Sequence, residues 1–152
     1  MVKLNKSSIR DVIFGEDVTV IKPVNLYECE IQDHSFIGPF VEIQKGVKIG
    51  KYSKVQSHSF LCEKVTLGDN VFIGHGVMFI NDRFSTGKPA GGNETLWEPT
   101  IIDNNVSIGS NATILPVSIC SHVVVGAGSV VTKSIDEPGI YAGNPAKLIR
   151  KN

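Results

Sequence analysis

The sequence predicts an all-β chain wound as a parallel β-helix of hexapeptide repeats, and three features of its spacing lead there. From Ile31 an aliphatic or aromatic residue returns every six positions, at Ile37, Ile43, Ile49, Val55, Leu61, Leu67, Ile73 and Phe79, without a slip. Four residues after these positions runs a second lane of small or β-branched side chains: Ser35, Val41, Val47, Ser53, Ser59, Val65 and Val71. Glycine follows the aliphatic position in many repeats, at Gly15, Gly38, Gly50, Gly68, Gly74, Gly109 and Gly126. A helix repeats every ~3.6 residues and a strand every ~2, so neither keeps this spacing in register over such a span. A coil with three six-residue sides does.

One coil then takes about 18 residues, and coils stack at the spacing of neighbouring strands, about 4.8 Å. Residues one coil apart lie above one another. A glycine at a corner serves either a positive φ or the close approach of the next coil.

Residues 1 to 12 carry no clear repeat and are expected to pack over the first coil. The pattern opens with Phe14, Val20 and Leu26 and loses one residue before Ile31. It breaks after Phe79 and Ile80, resumes at Ile102, Ile108 and Ile114, drops one residue to Ile119, and continues at Val125 and Val131. Between the two runs lies an aperiodic stretch rich in Gly, Asn and Pro with the lone Trp97, read as an external loop over about 81–99. Long excursions from rigid scaffolds tend to carry function, and Arg83, Phe84 and Trp97 argue against simple disorder. The coil ends near Pro138, and about 138–152 reads as a cap over backbone that would otherwise invite another chain. A single domain over 1–152 accommodates all of this.

Fifteen basic residues balance fifteen acidic ones, so neither nucleic acid nor an anionic membrane is expected as the main partner. No apolar run is long enough to insert in a membrane, and the start, Met1 to Lys6, has no secretory core, which places the expected location in the cytoplasm. Cys29, Cys62 and Cys120 are odd in number and form no C-x-x-C pair. They read as packing or turn residues rather than as a disulfide framework or zinc site.

His34, His58 and His122 stand three residues after an aliphatic position, a slot shared with Asn70, Asn105 and Asn111. A shared slot points to a turn in which a polar side chain bonds nearby backbone. His58 lies about one coil below His75 on the same side of the prism and is a candidate for ligand contact. His75 is out of phase with the others, between Gly74 and Gly76 on the coil that launches the loop. Imidazole, with an ordinary pKa of about 6.5, is suited to accept a proton near neutrality, so His75 is either catalytic or substrate-binding, or else structural.

The hexad coil, the loop opening Phe79-Ile80-Asn81-Asp82-Arg83-Phe84, the return Trp97-Glu98-Pro99-Thr100, the run Ile108 to Ile114, the run Val125 to Lys133 and the closing Ala142-Gly143-Asn144-Pro145-Ala146 resemble the left-handed β-helix acyltransferases. More narrowly, they resemble the N-acetyltransferases of nucleotide-linked 3-aminosugars, over nearly the whole chain. That resemblance implies left-handed winding and a homotrimer with active sites between subunits. It implies acetyl-CoA along a subunit interface, with no metal, and a dTDP-linked 3-amino-3,6-dideoxyhexose as acceptor in lipopolysaccharide or other surface-polysaccharide precursor synthesis. Asn81 matches the family's loop asparagine and would orient the amine or the acetyl carbonyl, although Asn81-Asp82 equally suits an Asx turn that opens the loop. Asp82, Arg83, Phe84 and Glu98 follow as substrate-binding candidates beside His58. The resemblance points CoA to backbone at Gly109, Ser110, Ala127, Gly128 and Ala142, with Lys133, Lys147 and Arg150 near its phosphates. Cys120 stands where the family favours glycine and a residue is missing around Pro116-Val117-Ser118, which would reshape the pantetheine groove.

Two other uses of such a coil are disfavoured. A three-histidine zinc site needs ligands converging from adjacent turns, and only His58 and His75 stack. A non-enzymatic scaffold favours flat rows of one repeated surface residue, which are absent from the sequence. A hexapeptide acyltransferase for another acceptor, a UDP-linked 3- or 4-aminosugar or a hydroxyl, is the main alternative.

Overall fold

The computed structural model describes residues 1–151. Short parallel strands stack into three sheets, the faces of a prism. Face one carries Ile9–Arg10, Asn25–Tyr27, Glu42–Ile43, Phe60–Leu61, Met78–Phe79, Thr113–Ile114 and Val130–Val131. Face two begins with Ile13–Phe14 and ends with Ser118–Ile119, and face three runs from Thr19–Val20 to Gly139–Ala142. The aliphatic lane becomes three interior columns, one of which pairs Ile31 with Ile49, Ile49 with Leu67, Leu67 with Ile102 and Ile102 with Ile119. The predicted parallel β-helix is the observed fold.

These pairings also show how the slips are absorbed. Leu26 pairs with Ile43, 17 residues on, whereas Ile31 pairs with Ile49, 18 residues on. A corner shortened by one residue leaves the strands in register. Only the coil from Leu67 to Ile102 is much longer, at 35 residues, because it contains the external loop. That loop is not wholly irregular: Glu94–Leu96 forms one 3-10 turn, with Asn93 accepting the Thr95 N–H at its start.

From Leu26 onward both lanes point inward and are buried, whereas Phe14 and Val20 on the first coil are not. The hydroxyls among them are paired: Ser53 donates to the Gly68 carbonyl (3.0 Å) and accepts the Val71 N–H (3.0 Å), and Ser59 does the same with Gly74 and Val77. Small polar residues are tolerated in this core because each hydroxyl finds partners in the coil above. No buried side-chain polar atom lacks a partner among the described residues.

The corners separate two roles that the sequence left merged. The slot three residues after the aliphatic position is the left-handed one, with φ of 57° at His34, 64° at His58, 54° at Asn70, 59° at Asn105, 60° at Asn111 and 63° at His122. Phe40, Tyr52 and Lys64 occupy the same slot, so the requirement is conformational and polarity is incidental. The expected bonds to backbone come instead from the residue before the slot. Asp33 accepts the Glu16 N–H, Asp69 the Lys51 N–H and Asn104 the Asp69 N–H. The glycines after the aliphatic position serve close approach: a Cβ on Gly50 would lie 2.3 Å from the Gly68 oxygen, and one on Gly74 would lie 2.6 Å from the Ser110 nitrogen.

The coil starts earlier than its pattern, because Ile9–Arg10 already pairs with Leu26 and Tyr27. With no coil beneath it, this strand leaves Ile9 exposed and escapes the demand for a strict lane. At the far end Gly139–Ala142 extends face three, and Lys147–Arg150 returns antiparallel to it. Between them Gly143 accepts the Val130 N–H and Ala146 donates to the Val130 carbonyl, so the terminal hairpin covers the edges of two faces, as a cap should. Among the described residues no helix is long and apolar enough to cross a membrane.

Candidate functional site

Two edges flank face one, and the candidate residues divide between them. On the edge shared with face three, successive coils superpose Pro39, Ser57, His75, Ser110 and Ala127 through hydrogen bonds such as Gly76 N–H to Ser57 O (2.9 Å), Asn111 N–H to His75 O (2.8 Å) and Gly128 N–H to Ser110 O (2.8 Å). The exposed imidazole of His75 is fixed from below by Ser57, whose Oγ lies 2.8 Å from Nδ1. From above, Ser110 Oγ accepts the His75 N–H at 3.1 Å. Gly109 is free of a side chain because Ala127 nitrogen would meet its Cβ at 2.5 Å, and Ala142 sits directly over Gly126. His75, Gly109, Ser110, Ala127, Gly128 and Ala142 therefore share one continuous edge.

His58 lies on this edge but stacks on Phe40, with ring centroids 4.9 Å apart, and the contact of His75 one coil below is Ser57 instead. The sequence reading passed over Ser57, although its position 18 residues before His75 in a coil of that length marks it.

The edge between faces one and two carries the loop. A groove opens there against Gln44, Phe60, Cys62, Glu63, Asn81 and Trp97, with Phe79, Asp82 and Phe84 also in its wall. Asn81 donates from Nδ2 to the Glu63 carbonyl (3.2 Å), and its own carbonyl accepts the Glu98 N–H (2.9 Å). Its Oδ1 and second amide proton have no protein partner among the described residues. Asp82 forms the Asx turn: one oxygen accepts the Phe84 N–H (2.9 Å) and the other the Ala90 N–H (2.7 Å). Both of its oxygens are thereby committed to the loop's shape.

Arg83 and Glu98, expected as substrate contacts, are engaged with each other at 3.0 Å, and Arg83 also donates to the Pro116 carbonyl. Pro116 lies where the coil is one residue short, so the shortened corner docks the loop. Phe84 is exposed at the rim. Of the cationic candidates, Lys133 lies on this second edge, two residues past Val131, while Lys147 and Arg150 lie exposed on the terminal hairpin. The structure does not gather these three into one cluster.

His75 and Asn81 are thus held on opposite edges of face one within a single chain. Among the described residues no group of His, Cys, Asp and Glu is arranged to hold a metal ion.

Burial pushes the Cys62 thiol up to about 12 and the Cys29 thiol up to about 11. Thiolate is the reactive form, so neither should react with Ellman's reagent at neutral pH in the folded protein. Cys120, only part-buried, is expected to be the single thiol that titrates before denaturation. Prompt reaction of a second thiol, if it persists in Cys29→Ser, would show that the groove around Cys62 opens readily.

Residues 28–63 match the bacterial transferase hexapeptide model of six repeats, and residues 99–133 match the hexapeptide repeat of succinyl-transferase. The chain is 31% identical over 153 aligned positions to the bifunctional protein GlmU of Thermosipho melanesiensis, an alignment that takes in 99% of this chain and 31% of that protein. The chain therefore spans about a third of that relative. Among solved structures, the hexapeptide-repeat acetyltransferase VCA0836 of Vibrio cholerae with acetyl-CoA is similar at a TM-score of 0.67 and 25% identity, over 78% of this chain and 68% of that one. A mutant of AntD, an N-acyltransferase from Bacillus cereus in complex with dTDP and coenzyme A, superposes at a TM-score of 0.71 with 22% identity, over 94% and 82%. Two stretches of the chain thus match hexapeptide-repeat models, and its coil has the fold of the hexapeptide-repeat acetyltransferase VCA0836.

Proposed function

We propose that the chain is an acetyl-CoA-dependent N-acetyltransferase for the 3-amino group of a nucleotide-linked, dTDP-bearing 3-amino-3,6-dideoxyhexose in surface-polysaccharide precursor synthesis, acting as a homotrimer. One observation carries this reading: face one is bordered by two different half-sites. A reactive edge bears His75 beside bare backbone at Gly109, Ala127 and Gly128, and a pocket edge bears Asn81 and the loop. Three copies with face one turned toward a common axis bring the reactive edge of each copy against the pocket edge of the next, and the closed ring leaves none unmatched. Support for the ligands comes from AntD, whose structure holds dTDP and coenzyme A, and from VCA0836, which holds acetyl-CoA.

The chemistry follows from those positions. The sugar amine attacks the thioester carbonyl, an oxyanion forms, the C–S bond breaks, and the amine proton leaves. An amine beside electron-withdrawing oxygens is nearer the α-amino pKa of about 8 than the lysine value of about 10.4, so about a tenth of it is already neutral at pH 7, against well under a hundredth for a lysine. Placement then matters more than strong basicity. Ser57 fixes the His75 ring through Nδ1, which leaves Nε2 to meet the amine proton, with the departing thiolate as final acceptor. The free side of the Asn81 amide meets the amine or the acetyl oxygen, and in the second case its N–H stabilises the oxyanion.

Release of free CoA thiol is to be followed with acetyl-CoA against dTDP- and UDP-linked 3- and 4-aminosugars and their hydroxyl analogues. Turnover is expected with the dTDP-linked 3-amino compound. Turnover of the hydroxyl analogue alone would refute the amine reading.

A further inference from the structure

The loop's return strand forms one wall of the groove through Trp97, and a single side chain from the coil holds it there. Lys64 sits at a corner with φ of 71°, a left-handed conformation that costs a lysine about 1 to 2 kcal/mol. Its Nζ donates to the Glu94 carbonyl at 2.8 Å and to the Trp97 carbonyl at 2.9 Å, across the 3-10 turn Glu94–Leu96. Its own carbonyl accepts the Thr100 N–H at 3.1 Å. One residue therefore ties the loop at the turn, at the tryptophan and at the first residue of the returning strand.

Nothing in the hexapeptide pattern requires a lysine here, since the slot accepts Gly46 on the coil below the same edge. Lys64 meets only carbonyl oxygens: it is absent from the ion pairs among the described residues, and a positive charge at the C-terminal end of a helical turn meets that turn's negative pole. The other latch, Arg83 with Glu98 and Pro116, holds the outgoing arm of the loop and the residue after Trp97. The Trp97 N–H bonds within the turn, to the Glu94 carbonyl (3.2 Å), and Lys64 is the side chain that ties the turn and the Trp97 carbonyl to the coil.

We propose that Lys64 is a positioning residue for acceptor binding, acting through Trp97. This rests on the reading of the groove as the acceptor pocket. Trp97 lines the groove together with Glu63 and with Asn81, whose Oδ1 and second amide proton are unused, a lining that suits an aminosugar ring, whose C–H face packs on the indole while its polar groups meet the amide and the carboxylate. Held at its main chain, Trp97 presents a fixed surface. Released, it would have to be ordered by the ligand at each binding event.

Trp97 is the chain's lone tryptophan, so its fluorescence reports the wall directly. Lys64→Met is expected to raise quenching of Trp97 by neutral acrylamide about twofold. It should also raise KM for the dTDP-linked 3-aminosugar about tenfold, the size of one charge-assisted hydrogen bond, with KM for acetyl-CoA unchanged. Lys64→Arg should restore both readouts in large part. Unchanged quenching in Lys64→Met would overturn the latch. Raised quenching with an unchanged acceptor KM would overturn its role in binding, as would an equal rise in both KM values. If the wild-type protein neither turns over nor, by Trp97 fluorescence, binds any aminosugar, the acceptor reading and the binding role fall together, and the quenching comparison still decides whether Lys64 holds Trp97.

Discussion

Co-expressed chains carrying His75→Ala and Asn81→Ala in equal amounts should recover about a quarter of wild-type transfer, although each variant alone falls by about a hundredfold or more. The expectation follows from the two edges of face one. Within a single chain, His75 rests on Ser57 at the edge toward face three, whereas Asn81 rests on the Glu63 carbonyl at the edge toward face two. A site made between copies draws its imidazole from one chain and its amide from the next. In a random mixture, half of the reactive edges carry an intact His75 and half of the pocket edges carry an intact Asn81, so one junction in about four is whole. A site contained in one chain gains nothing from mixing, because every copy lacks one residue or the other. Activity of the mixture no greater than the mean of the separate variants would remove the shared site and the trimer with it. The size of the His75→Ala loss also bears on the acceptor: a loss near a hundredfold fits an amine already part-neutral, whereas an alcohol, hardly ionised at neutral pH, should lose nearly all transfer.

The coil was legible in sequence because one inward lane of a narrow prism must be large and apolar and the other small, and the aliphatic column from Ile31 to Ile119 keeps the first rule without exception. The first strand escaped notice because Ile9 has no coil beneath it and so no lane to keep. The half-site on the reactive edge was largely legible for the same reason: His75, Ser110 and Ala127 are neighbours by coil register, which a period reports. The pocket edge was not. Asp82 reaches Ala90, Arg83 reaches Pro116 and Lys64 reaches Trp97, and all three contacts depend on how an aperiodic loop folds back. Resemblance marked Arg83 and Glu98 as polar groups near a substrate, but polarity alone does not show that the pair neutralise each other. Ser57 was within reach of the register and was hidden only by the more conspicuous His58 beside it.

Gly74→Ala and Gly50→Ala should each destabilise the protein by about 2 to 3 kcal/mol, and only the first should impair transfer in the protein that remains folded. At both positions an added Cβ meets backbone of the next coil, 2.6 Å from Ser110 nitrogen at Gly74 and 2.3 Å from the Gly68 oxygen at Gly50. Backbone cannot rotate aside as a side chain can, so the coils must part locally. At Gly74 that strains its N–H bond to the Ile108 carbonyl (2.8 Å), and at Gly50 the corresponding bond to Leu67 (2.9 Å). Alanine also stiffens the unfolded chain, which favours folding by about 0.4 to 1 kcal/mol, too little to offset the clash. Thermal transitions should fall by about 6 °C for a chain of this size. The variants diverge in activity because of what each glycine adjoins. Gly50 lies at the corner between faces two and three, away from both half-sites. Gly74 immediately precedes His75 and presses on Ser110, whose hydroxyl receives the His75 N–H, so a Cβ there moves the imidazole relative to the bare edge beside it. Transfer measured well below both transitions separates the cases: equal activity of the two variants would mean that the position of His75 on its edge is immaterial to the reaction.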